Sequence, residues 1–320
     1  MDLSFLKGLG LTITLDAALE HFTTFRLGGT CPALIECADA ALMRTTISLL
    51  RAHHLSFLVM GFGSNILASD KGIPLIIVRY SSTAPLLRRQ EDVITTDAAT
   101  QLDDLAQYAL DQGLDGLTAM SGIPGTVGGA ITGNAGAYGQ QICDHLASVT
   151  ALMPDNTLAT FPKASLRFGY RDSAFKDNGG IILSAAFSLK TAGDIHALRT
   201  RRQEILETRL KKHGSWTTTP CAGSFFRNVE PTSSAGQRQA AGWFLEKSGA
   251  KELNINGAHA YAHHANIITR DEGATAQDVY DLTVNMAAMV KKAFAIDLVR
   301  EVRLLGAFDR APASRAQGYW

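Results

Sequence analysis

Apolar and polar positions in the first 80 residues follow a pattern that is typical of strands separated by a helix. Short apolar runs predict strands at 33–37, 57–60 and 74–79. After the first run, Asp39 is a suitable N-cap, and apolar residues at helical spacing continue to about His53. This β-α-β character predicts an α/β subdomain over residues 1–80.

Residues 81–198 form a second block that mixes one helix with several short strands. Thr100 and Asp103 have the spacing of a capping box, and Gly113 marks the end of the helix that they would start. Strand-like runs lie near 93–95, 147–153, 157–161 and 181–189. We expect a second α/β subdomain here.

The last third predicts a separate α+β domain over residues 199–306. Helical spacing of apolar residues predicts helices at 194–212, 237–247 and 275–294, the last of which opens on a capping-box pair, Thr275 and Asp278. In the first of these helices, the polar letters RTRRQE form the expected solvated face.

The C-terminal part of the chain predicts one more strand and a tail. Period-two alternation predicts a strand at 297–305, with Glu301 and Arg303 on one face. A ladder of such charges on a solvated strand is the common meaning of this pattern. Residues 307–320 are polar and are predicted to form a loose tail.

Composition excludes several classes of protein. Among 320 residues, 30 basic and 30 acidic side chains cancel, which removes any general attraction for nucleic acid or membrane surfaces. The four cysteines lack CxxC spacing, the paired histidines lack metal-ligand spacing, and no apolar run approaches the ~18 residues of a membrane span. The first 16 residues make a poor signal peptide. We expect a cytoplasmic enzyme with reduced thiols and no metal.

Residues 121–139, SGIPGTVGGAITGNAGAYG, contain seven glycines. A helix loses roughly 1 kcal/mol for each internal glycine, so one regular element across the whole stretch is not expected. Such a backbone suits close approach to a large phosphate-bearing cofactor. A compact turn that packs neighbouring elements together explains the stretch equally well.

The segment GFGSN, residues 61–65, follows the predicted strand at 57–60. Glycine, serine and asparagine at the end of a strand can present backbone amides to a phosphate oxygen. The segment lacks the third glycine of a dinucleotide fingerprint and the Gly-Lys-Ser/Thr of a Walker loop. Taken alone, it is more often an ordinary turn.

Three further residues carry chemistry that is ambiguous when each is taken alone. Arg171, in YRDS, could grip a carboxylate through two hydrogen bonds or simply pair with Asp172. Ser224 lies between a glycine and two aromatic residues and is not a GxSxG nucleophile, although its hydroxyl could protonate a carbanion in a dry site. Glu301 belongs to the alternating segment already described.

The order of these motifs along the chain is far more specific than any one of them. HFTTFRLGG (21–29), GFGSNIL (61–67), SGIPGTVGGA (121–130), NAGAYG (134–139), YRDS (170–173), AGSFFRN (222–228), AGWFLEKSGAK (241–251), HANIITR (264–270) and EVRLLG (301–306) together resemble the UDP-N-acetylenolpyruvoylglucosamine reductase family. The resemblance covers roughly residues 21–306. It is greatest to the shorter class, which lacks an extra insertion in the substrate domain.

The resemblance implies an FAD-binding fold of the vanillyl-alcohol-oxidase type, formed by the first two blocks, and a separate α+β substrate domain. It implies non-covalent FAD held by three segments. Their residues are Gly61, Phe62, Gly63, Ser64, Asn65, Ile66, Ser121, Gly122, Ile123, Pro124, Gly125, Thr126, Gly128, Gly129, Asn134, Ala135, Gly136, Ala137 and Tyr138.

The implied reaction belongs to peptidoglycan precursor synthesis and uses NADPH as reductant. NADPH reduces the flavin, which then reduces the enolpyruvyl ether of UDP-N-acetylglucosamine to UDP-N-acetylmuramate. The family roles fall on Arg171 and Glu301, which polarise the substrate carboxylate, and on Ser224, which donates a proton. The resemblance further suggests substrate contacts at Tyr170, Arg227, Asn228 and Asn266. We expect a monomer.

Some positions depart from the family pattern. Arg227 and Val229 replace the usual Lys and Pro after GSFF, His263 replaces a lysine before HAN, and Val299-Arg300 replaces Glu-Pro. These changes affect the expected sugar and diphosphate contacts. Two alternatives are another flavoenzyme of the same fold, such as an alcohol oxidase, and a non-catalytic nucleotide-binding protein.

Overall fold

The chain alternates strands and helices in three successive regions. The computed structural model describes residues 1–215, 217–231 and 238–311. Its α-helices are α1 (Ala40–Ala52), α2 (Leu102–Asp111), α3 (Val127–Thr132), α4 (Ile195–His213), α5 (Ala241–Lys247) and α6 (Ala276–Phe294). Its strands are β1 (Thr12–Ala18), β2 (Thr30–Cys37), β3 (Phe57–Met60), β4 (Ile66–Ala68), β5 (Ile76–Tyr80), β6 (Leu87–Gln90), β7 (Val93–Asp97), β8 (Leu114–Asp115), β9 (Gly136–Ala137), β10 (Gln140–Gln141), β11 (Leu146–Leu152), β12 (Leu158–Pro162), β13 (Ile181–Ser188), β14 (Lys190–Thr191), β15 (Asn254–Ile255), β16 (Ala258–Tyr261), β17 (His264–Arg270) and β18 (Arg303–Leu305).

The first region is built on a four-stranded sheet in the order β1-β2-β5-β3. Strands β2, β5 and β3 run parallel, as the β-α-β pattern predicts. The Asp39 carboxylate caps α1 by accepting a hydrogen bond from the Leu42 amide at 2.7 Å. Strand β1, which sequence reasoning did not predict, is antiparallel to β2.

The second region is a five-stranded antiparallel sheet in the order β12-β11-β13-β7-β6. Helices α2 and α3 accompany it. One apolar cluster extends across the first two regions and includes Ile47, Val78, Leu105, Val149 and Phe187. The shared cluster fixes the two sheets relative to each other, so the loops between them are held in place.

The third region packs α5 and α6 with the antiparallel sheet β15-β16-β17. Its core contains Phe225, Phe244 and Met286, together with Phe25 and Leu67 from the first region. At the end of this region, β18 pairs in parallel with β4. The last region is therefore joined to the first by a shared core and by a strand pair.

Both predicted capping boxes can be compared with the structure. The one at the start of α6 is confirmed: Thr275 Oγ1 accepts from the Asp278 amide at 3.1 Å, and the Asp278 carboxylate accepts from the Thr275 amide at 2.8 Å. The one at Thr100 is wrong, because α2 begins after Gln101. Thr100 Oγ1 is instead 2.7 Å from Thr96 Oγ1.

The predicted strand at 297–305 is mostly wrong. Only Arg303–Leu305 is a strand, and Glu301 lies in irregular backbone just before it. The loose tail is also wrong at its start, since Phe308 is 7% exposed and its ring lies 5.2 Å from that of Tyr280. Residues 312–320 of the predicted tail lie outside the described residues.

Two predicted helices differ from the structure in detail. For the helix predicted at 237–247, Gln237 lies outside the described residues, and α5 begins only at Ala241 because Gln239 exchanges backbone hydrogen bonds of 3.0 and 2.9 Å with Val229. Helix α4 spans the predicted domain boundary at 198/199. Among the described residues, no helix has both the length and the apolar character needed to cross a bilayer.

Candidate active site

Arg171 lies in a tight turn that holds its backbone in an unusual conformation. Gly169 and Asp172 close the turn with two backbone hydrogen bonds of 3.0 and 3.2 Å. The φ angle of Arg171 is +56°, in the left-handed region that favours glycine. Asn134 Nδ2 donates to the Gly169 carbonyl at 2.8 Å, and Lys176 Nζ donates to the Arg171 carbonyl. These contacts hold the strained turn.

The guanidinium of Arg171 joins two distant parts of the chain. Its Nε donates to Glu301 Oε1 at 2.7 Å, and its Nη2 donates to the Gly136 carbonyl at 3.0 Å. The side chains of this ion pair are 23% and 19% exposed. The pair is therefore shielded from most of the solvent but remains accessible to a ligand. Arg171 and Glu301, predicted to act together, are in direct contact.

Ser224 is tied to the same place through the backbone. Its neighbour Phe225 accepts a hydrogen bond from the Glu301 amide at 2.8 Å, while the Phe225 amide donates to the Asn266 carbonyl at 2.8 Å. Ser224 itself forms a β-bridge with Ile267. Residues 224–226 thus lie between β17 and the segment that carries Glu301. The backbone beside Ser224 is thus linked to the segment that carries Glu301, and Glu301 in turn contacts Arg171.

The buried side chain of Asn266 binds the backbone of a neighbouring segment. It is 2% exposed, and its side-chain amide accepts from the Phe226 amide at 2.9 Å and donates to the Phe226 carbonyl at 2.8 Å. Its side chain is therefore engaged with the backbone next to Ser224. Asn266 therefore holds the 224–226 segment in place, and its contact with substrate stays a prediction.

The other suggested substrate residues lie around the Arg171 turn. Tyr170 Oη accepts from the Asn228 amide at 3.2 Å, and the guanidinium of Arg238 lies 4.1 Å from the Tyr170 ring centroid. The Arg227 amide donates to the Val299 carbonyl at 2.8 Å. Tyr170, Arg227 and Asn228 are therefore close to one another in the structure.

Positive charge is concentrated beside the turn. Lys176 is 13% exposed and lies 3.4 Å from Asp172. Burial lowers the pKa of Lys176, and the nearby charges of Arg303 and Arg227 lower it further. With Arg171, these cations give the site a local positive potential that suits an anionic ligand, although the chain as a whole has no net charge.

The two main glycine-rich segments meet beside this cluster. Ser64 Oγ donates to the Pro124 carbonyl at 2.8 Å. A Cβ on Gly61 would lie 2.4 Å from Thr126 Oγ1, so only glycine permits this approach. Asn65 links the segments to Glu301, one of the predicted catalytic residues, because its Nδ2 donates to the Glu301 carbonyl at 3.3 Å.

The structure supports the fit of these segments to a polar cofactor. Ser121 and Asn134 are 0% and 1% exposed, yet Ser121 Oγ and Asn134 Oδ1 have no hydrogen-bond partner among the described residues. Buried polar atoms are seldom left unpaired. Both belong to segments expected to hold FAD. Within the glycine-rich stretch, only α3 is a helix, and Thr126 caps it. This short helix agrees with the expectation that no single regular element spans the whole stretch.

Sequence reasoning missed the contribution of α4 to this site. Arg202, assigned to the solvated face, is only 11% exposed and binds Asp103 through two hydrogen bonds of 2.6 and 3.0 Å. Burial opposes ionisation of Asp103, but hydrogen bonds from Arg202 and the Gly122 amide outweigh it and lower its pKa. A Cβ on Gly122 would lie 2.8 Å from Leu206 Cδ2. No local signal separates these buried polar residues from a solvated helix face.

Comparison with known proteins identifies the family of the chain. The profile of the UDP-N-acetylenolpyruvoylglucosamine reductase C-terminal domain matches residues 215–305, and that of an FAD-binding domain matches residues 31–161. The reductase of Trichormus variabilis is 32% identical over 96% of this chain and 90% of its own length. The chain belongs to the UDP-N-acetylenolpyruvoylglucosamine reductase family.

Other members of the reductase family agree. The reductase of Halalkalibacterium halodurans is 33% identical over 92% of this chain and 94% of its own length. The crystal structure of the reductase from Thermus caldophilus matches with a TM-score of 0.74 at 27% identity, and it covers 92% of this chain and 99% of that one. The predicted fold class, an FAD-binding fold of the vanillyl-alcohol-oxidase type with a separate α+β domain, is confirmed.

Proposed function

We propose that the chain uses NADPH and non-covalently bound FAD to reduce the enolpyruvyl ether of UDP-N-acetylglucosamine to UDP-N-acetylmuramate. The observation that carries this proposal is the contact of Arg171 with Glu301 beside the Ser224 segment and the glycine-rich loops. Family membership supports the same reaction and favours it over an alcohol oxidase of the same fold.

Arg171 stabilises negative charge that develops on the substrate. A guanidinium keeps its charge at every working pH and can bind both oxygens of a carboxylate. Glu301 orients Arg171 through the 2.7 Å contact, and the Gly136 carbonyl holds a second nitrogen. A charge partner fixed in this way needs no reorganisation when the substrate carboxylate gains electron density.

Ser224 donates the proton that completes the reduced product. A serine hydroxyl is a weak acid, so it serves only where a strongly basic carbon is formed away from water. Its backbone is fixed between Ile267 and the segment of Glu301. When bound, FAD supplies the hydride transfer between NADPH and substrate. The protein residues supply orientation, charge and the proton.

Three further residues are proposed to contact the substrate. Tyr170, Arg227 and Asn228 bind the anionic part of the substrate next to Lys176.

We also propose two flavin-binding subdomains at 1–80 and 81–198, followed by a substrate domain at 199–306. The proposal includes a cytoplasmic location and a monomeric state, and gel filtration tests the monomeric state.

A serine variant tests the reaction. In Ser224→Ala, substrate-dependent oxidation of NADPH should fall about 10²–10⁴-fold because the proton donor is lost, while bound FAD is retained. Ser165→Ala is the matched control, since Ser165 is exposed and its hydroxyl donates to the Pro162 carbonyl at 2.9 Å. NADPH oxidation and flavin absorbance are measured on both purified variants. Equal loss of FAD and activity in Ser224→Ala would mean that Ser224 is structural.

A further inference from the structure

A cavity of about 550 Å³ lies beside the 61–65 segment, where the first region meets the third. Its size falls within the range of about 300–1,000 Å³ that is typical of small-molecule sites. The residues that line it include Phe22, Thr23, Arg26, Phe62, Arg79 and Arg270. The wall thus brings together three arginines that are far apart in the sequence.

The 61–65 segment separates this cavity from the place where the glycine-rich segments meet. A Cβ on Gly61 would lie 2.4 Å from Thr126 Oγ1, whereas a Cβ on Gly63 would lie 2.3 Å from the Phe22 carbonyl oxygen. The segment therefore contacts the expected cofactor loop on one side and the wall of the cavity on another. The cavity is a separate place on the molecule.

Arg79 reaches the cavity from the end of strand β5. It is in register with Glu36 of β2 and Met60 of β3, close to the carboxyl ends of three parallel strands. Its Nη1 donates to Glu36 Oε1 at 2.8 Å, and its guanidinium lies 5.6 Å from the ring centroid of Phe22. The carboxyl ends of parallel strands are where α/β sheets usually bind ligands.

Arg26 and Arg270 bring two further positive charges to the wall. Arg270 Nη2 donates to the Arg26 carbonyl at 2.8 Å, and Arg26 Nη2 donates to the Thr217 carbonyl at 2.5 Å. A carbonyl oxygen fixes a guanidinium without neutralising its charge. The three arginines stand against the carboxylates of Glu20, in the wall, and of Glu36, beside it. The excess of positive charge in a concave site attracts anions.

The backbone of Arg26 is held in an unfavourable conformation. Its φ angle is +51°, in the left-handed region that glycine adopts at less cost. The Arg26 amide donates to the Thr23 carbonyl at 3.1 Å, and Thr23 Oγ1 donates to the Leu27 carbonyl at 3.2 Å, so the turn is fixed. Strained residues that are held in this way cluster at functional sites. A ligand that needs the guanidinium explains why arginine occupies this position.

We propose that the cavity binds a phosphate-bearing ligand, whose phosphate groups contact Arg26, Arg79 and Arg270. Guanidinium groups match phosphate oxygens through paired, charge-assisted hydrogen bonds. The rings of Phe22 and Phe62 form an apolar part of the wall that suits a nucleoside base. The ligand is therefore a nucleotide or a free oligophosphate. The inference goes beyond the proposed function and does not depend on the reaction proposed there.

Calorimetric titration of the FAD-loaded full chain with inorganic pyrophosphate tests the site. We expect Arg26→Gly and Arg270→Met each to raise the Kd at least about 10-fold, because each removes charge-assisted hydrogen bonds. Arg89→Met is the matched control and should bind as wild type does. Exposed Arg89 also donates to backbone carbonyls, those of Glu91 at 2.6 Å and Gln112 at 2.7 Å, but lies outside the cavity wall.

A second titration, with ADP, separates the two sources of phosphate. If the ligand is a nucleotide, ADP should bind more tightly than pyrophosphate, and Phe22→Leu should remove the difference. If the ligand is an oligophosphate, ADP should bind no more tightly. Arg227→Met shows whether either probe binds at the proposed substrate site instead. A loss of binding confined to Arg227→Met would overturn the proposal.

Thermal unfolding without ligand separates binding from a structural role of Arg26. Glycine relieves the positive φ, so the midpoint of Arg26→Gly should equal or exceed that of wild type. A lower midpoint would assign Arg26 to holding the first and third regions together and would overturn its role in binding. No binding of either probe by wild type, or an unchanged Kd in Arg270→Met, would overturn the site. Absence of substrate-dependent NADPH oxidation would overturn only the proposed function.

Discussion

At the scale of single residues, Arg171 has a strained backbone conformation that is held by contacts from several other residues. A side chain other than glycine rarely occupies φ +56°, and such residues cluster at functional sites where the surroundings hold them. Here Asn134 and Lys176 hold the turn, while Glu301 and Gly136 hold the guanidinium. The turn therefore holds the permanently charged guanidinium of Arg171 beside Glu301 and the Gly136 carbonyl.

Replacing Arg171 by lysine should lower kcat about 10²–10³-fold, because one ammonium group cannot replace a fork that holds Glu301 and Gly136 while meeting a carboxylate. Substrate-dependent NADPH oxidation measures the loss. Reduction of bound flavin by NADPH alone should be unaffected. Arg167→Lys is the matched control: Arg167 also has positive φ, +44°, but is 70% exposed and 3.6 Å from Asp177. Wild-type turnover in Arg171→Lys would contradict the role.

The residues with chemical roles could be predicted from the sequence, but the residues that hold them could not. Arg171, Ser224 and Glu301 stand in motifs whose order is specific to the family. Asn266 also belongs to such a motif, but its side-chain amide forms hydrogen bonds with the backbone of Phe226. The motif HAN does not indicate whether its asparagine side chain faces a ligand or a neighbouring segment. The side-chain orientation depends on Phe226, which is 40 positions away in the sequence.

At the scale of elements, the candidate site depends on residues 224–226, which lie between β17 and the segment that carries Glu301. Residues 224–226 form β-bridges to Ile267 on one side and to Arg300 on the other. Asn266 fixes the register on the β17 side with two side-chain bonds. Any shift of this segment moves Ser224 relative to Glu301, because both depend on the same backbone contacts.

Asn266→Asp should destabilise the protein by about 2 kcal/mol and lower kcat, because a carboxylate oxygen would face the Phe226 carbonyl in place of a donor. Thermal unfolding and the two half-reactions measure these effects: reduction of flavin by NADPH should persist, and oxidation by substrate should slow. Asn254→Asp is the control, since exposed Asn254 accepts from the Gly257 amide at 3.0 Å and aspartate accepts equally well. A variant that only raised KM would indicate direct substrate binding instead.

Elements were predicted well where burial creates periodicity and poorly where contacts come from elsewhere. Strands β3 and β11 were found as short apolar runs, and helix α6 was found because its apolar residues repeat at the helical period. The alternation around Glu301 misled the prediction, because a segment paired by single bridges shows the same pattern as a strand. The buried Arg202 of α4 was misassigned because its partner, Asp103, is distant in sequence.

At the scale of the whole molecule, the third region is joined to the first two at several points. Strand β18 pairs with β4, and Thr24 Oγ1 donates to the Cys221 carbonyl at 2.7 Å. A further junction lies at the end of α4, where the rings of His213 and His264 meet edge to face with centroids 5.5 Å apart. His213 is the last residue of α4, and His264 is the first residue of β17 in the third region.

This histidine junction should make stability depend on pH. Burial lowers the pKa of His213 to about 4, and the neighbouring His264, Arg209 and Lys212 shift it in the same direction. Burial also lowers the pKa of His264; nearby Lys212 and Lys251 act in the same direction, and Glu246 opposes them. Both rings therefore stay neutral in the folded protein at a pH where an unfolded histidine, with a pKa near 6.5, takes up a proton.

The sign follows from proton binding. Between about pH 6.5 and 4 the unfolded chain binds more protons than the folded one, so stability is complete above pH 6.5 and is lost as the pH falls. Allowing for partial exposure to solvent, the loss from His213 between pH 7 and 5 is about 1 kcal/mol, or about 2 °C in thermal midpoint. In His213→Gln, the fall in midpoint between these pH values should shrink by that amount.

Scanning calorimetry at pH 7 and pH 5 on the full chain measures the two midpoints. His196→Gln is the matched control, because His196 lies on the same helix but is exposed, so its removal should leave the pH dependence of wild type. If the thermal midpoint fell by the same number of degrees between pH 7 and pH 5 in His213→Gln and in wild type, His213 would not be the residue whose protonation lowers the stability. A smaller loss in His213→Gln alone would assign the acid sensitivity to the contact where α4 meets β17, which joins the second region to the third.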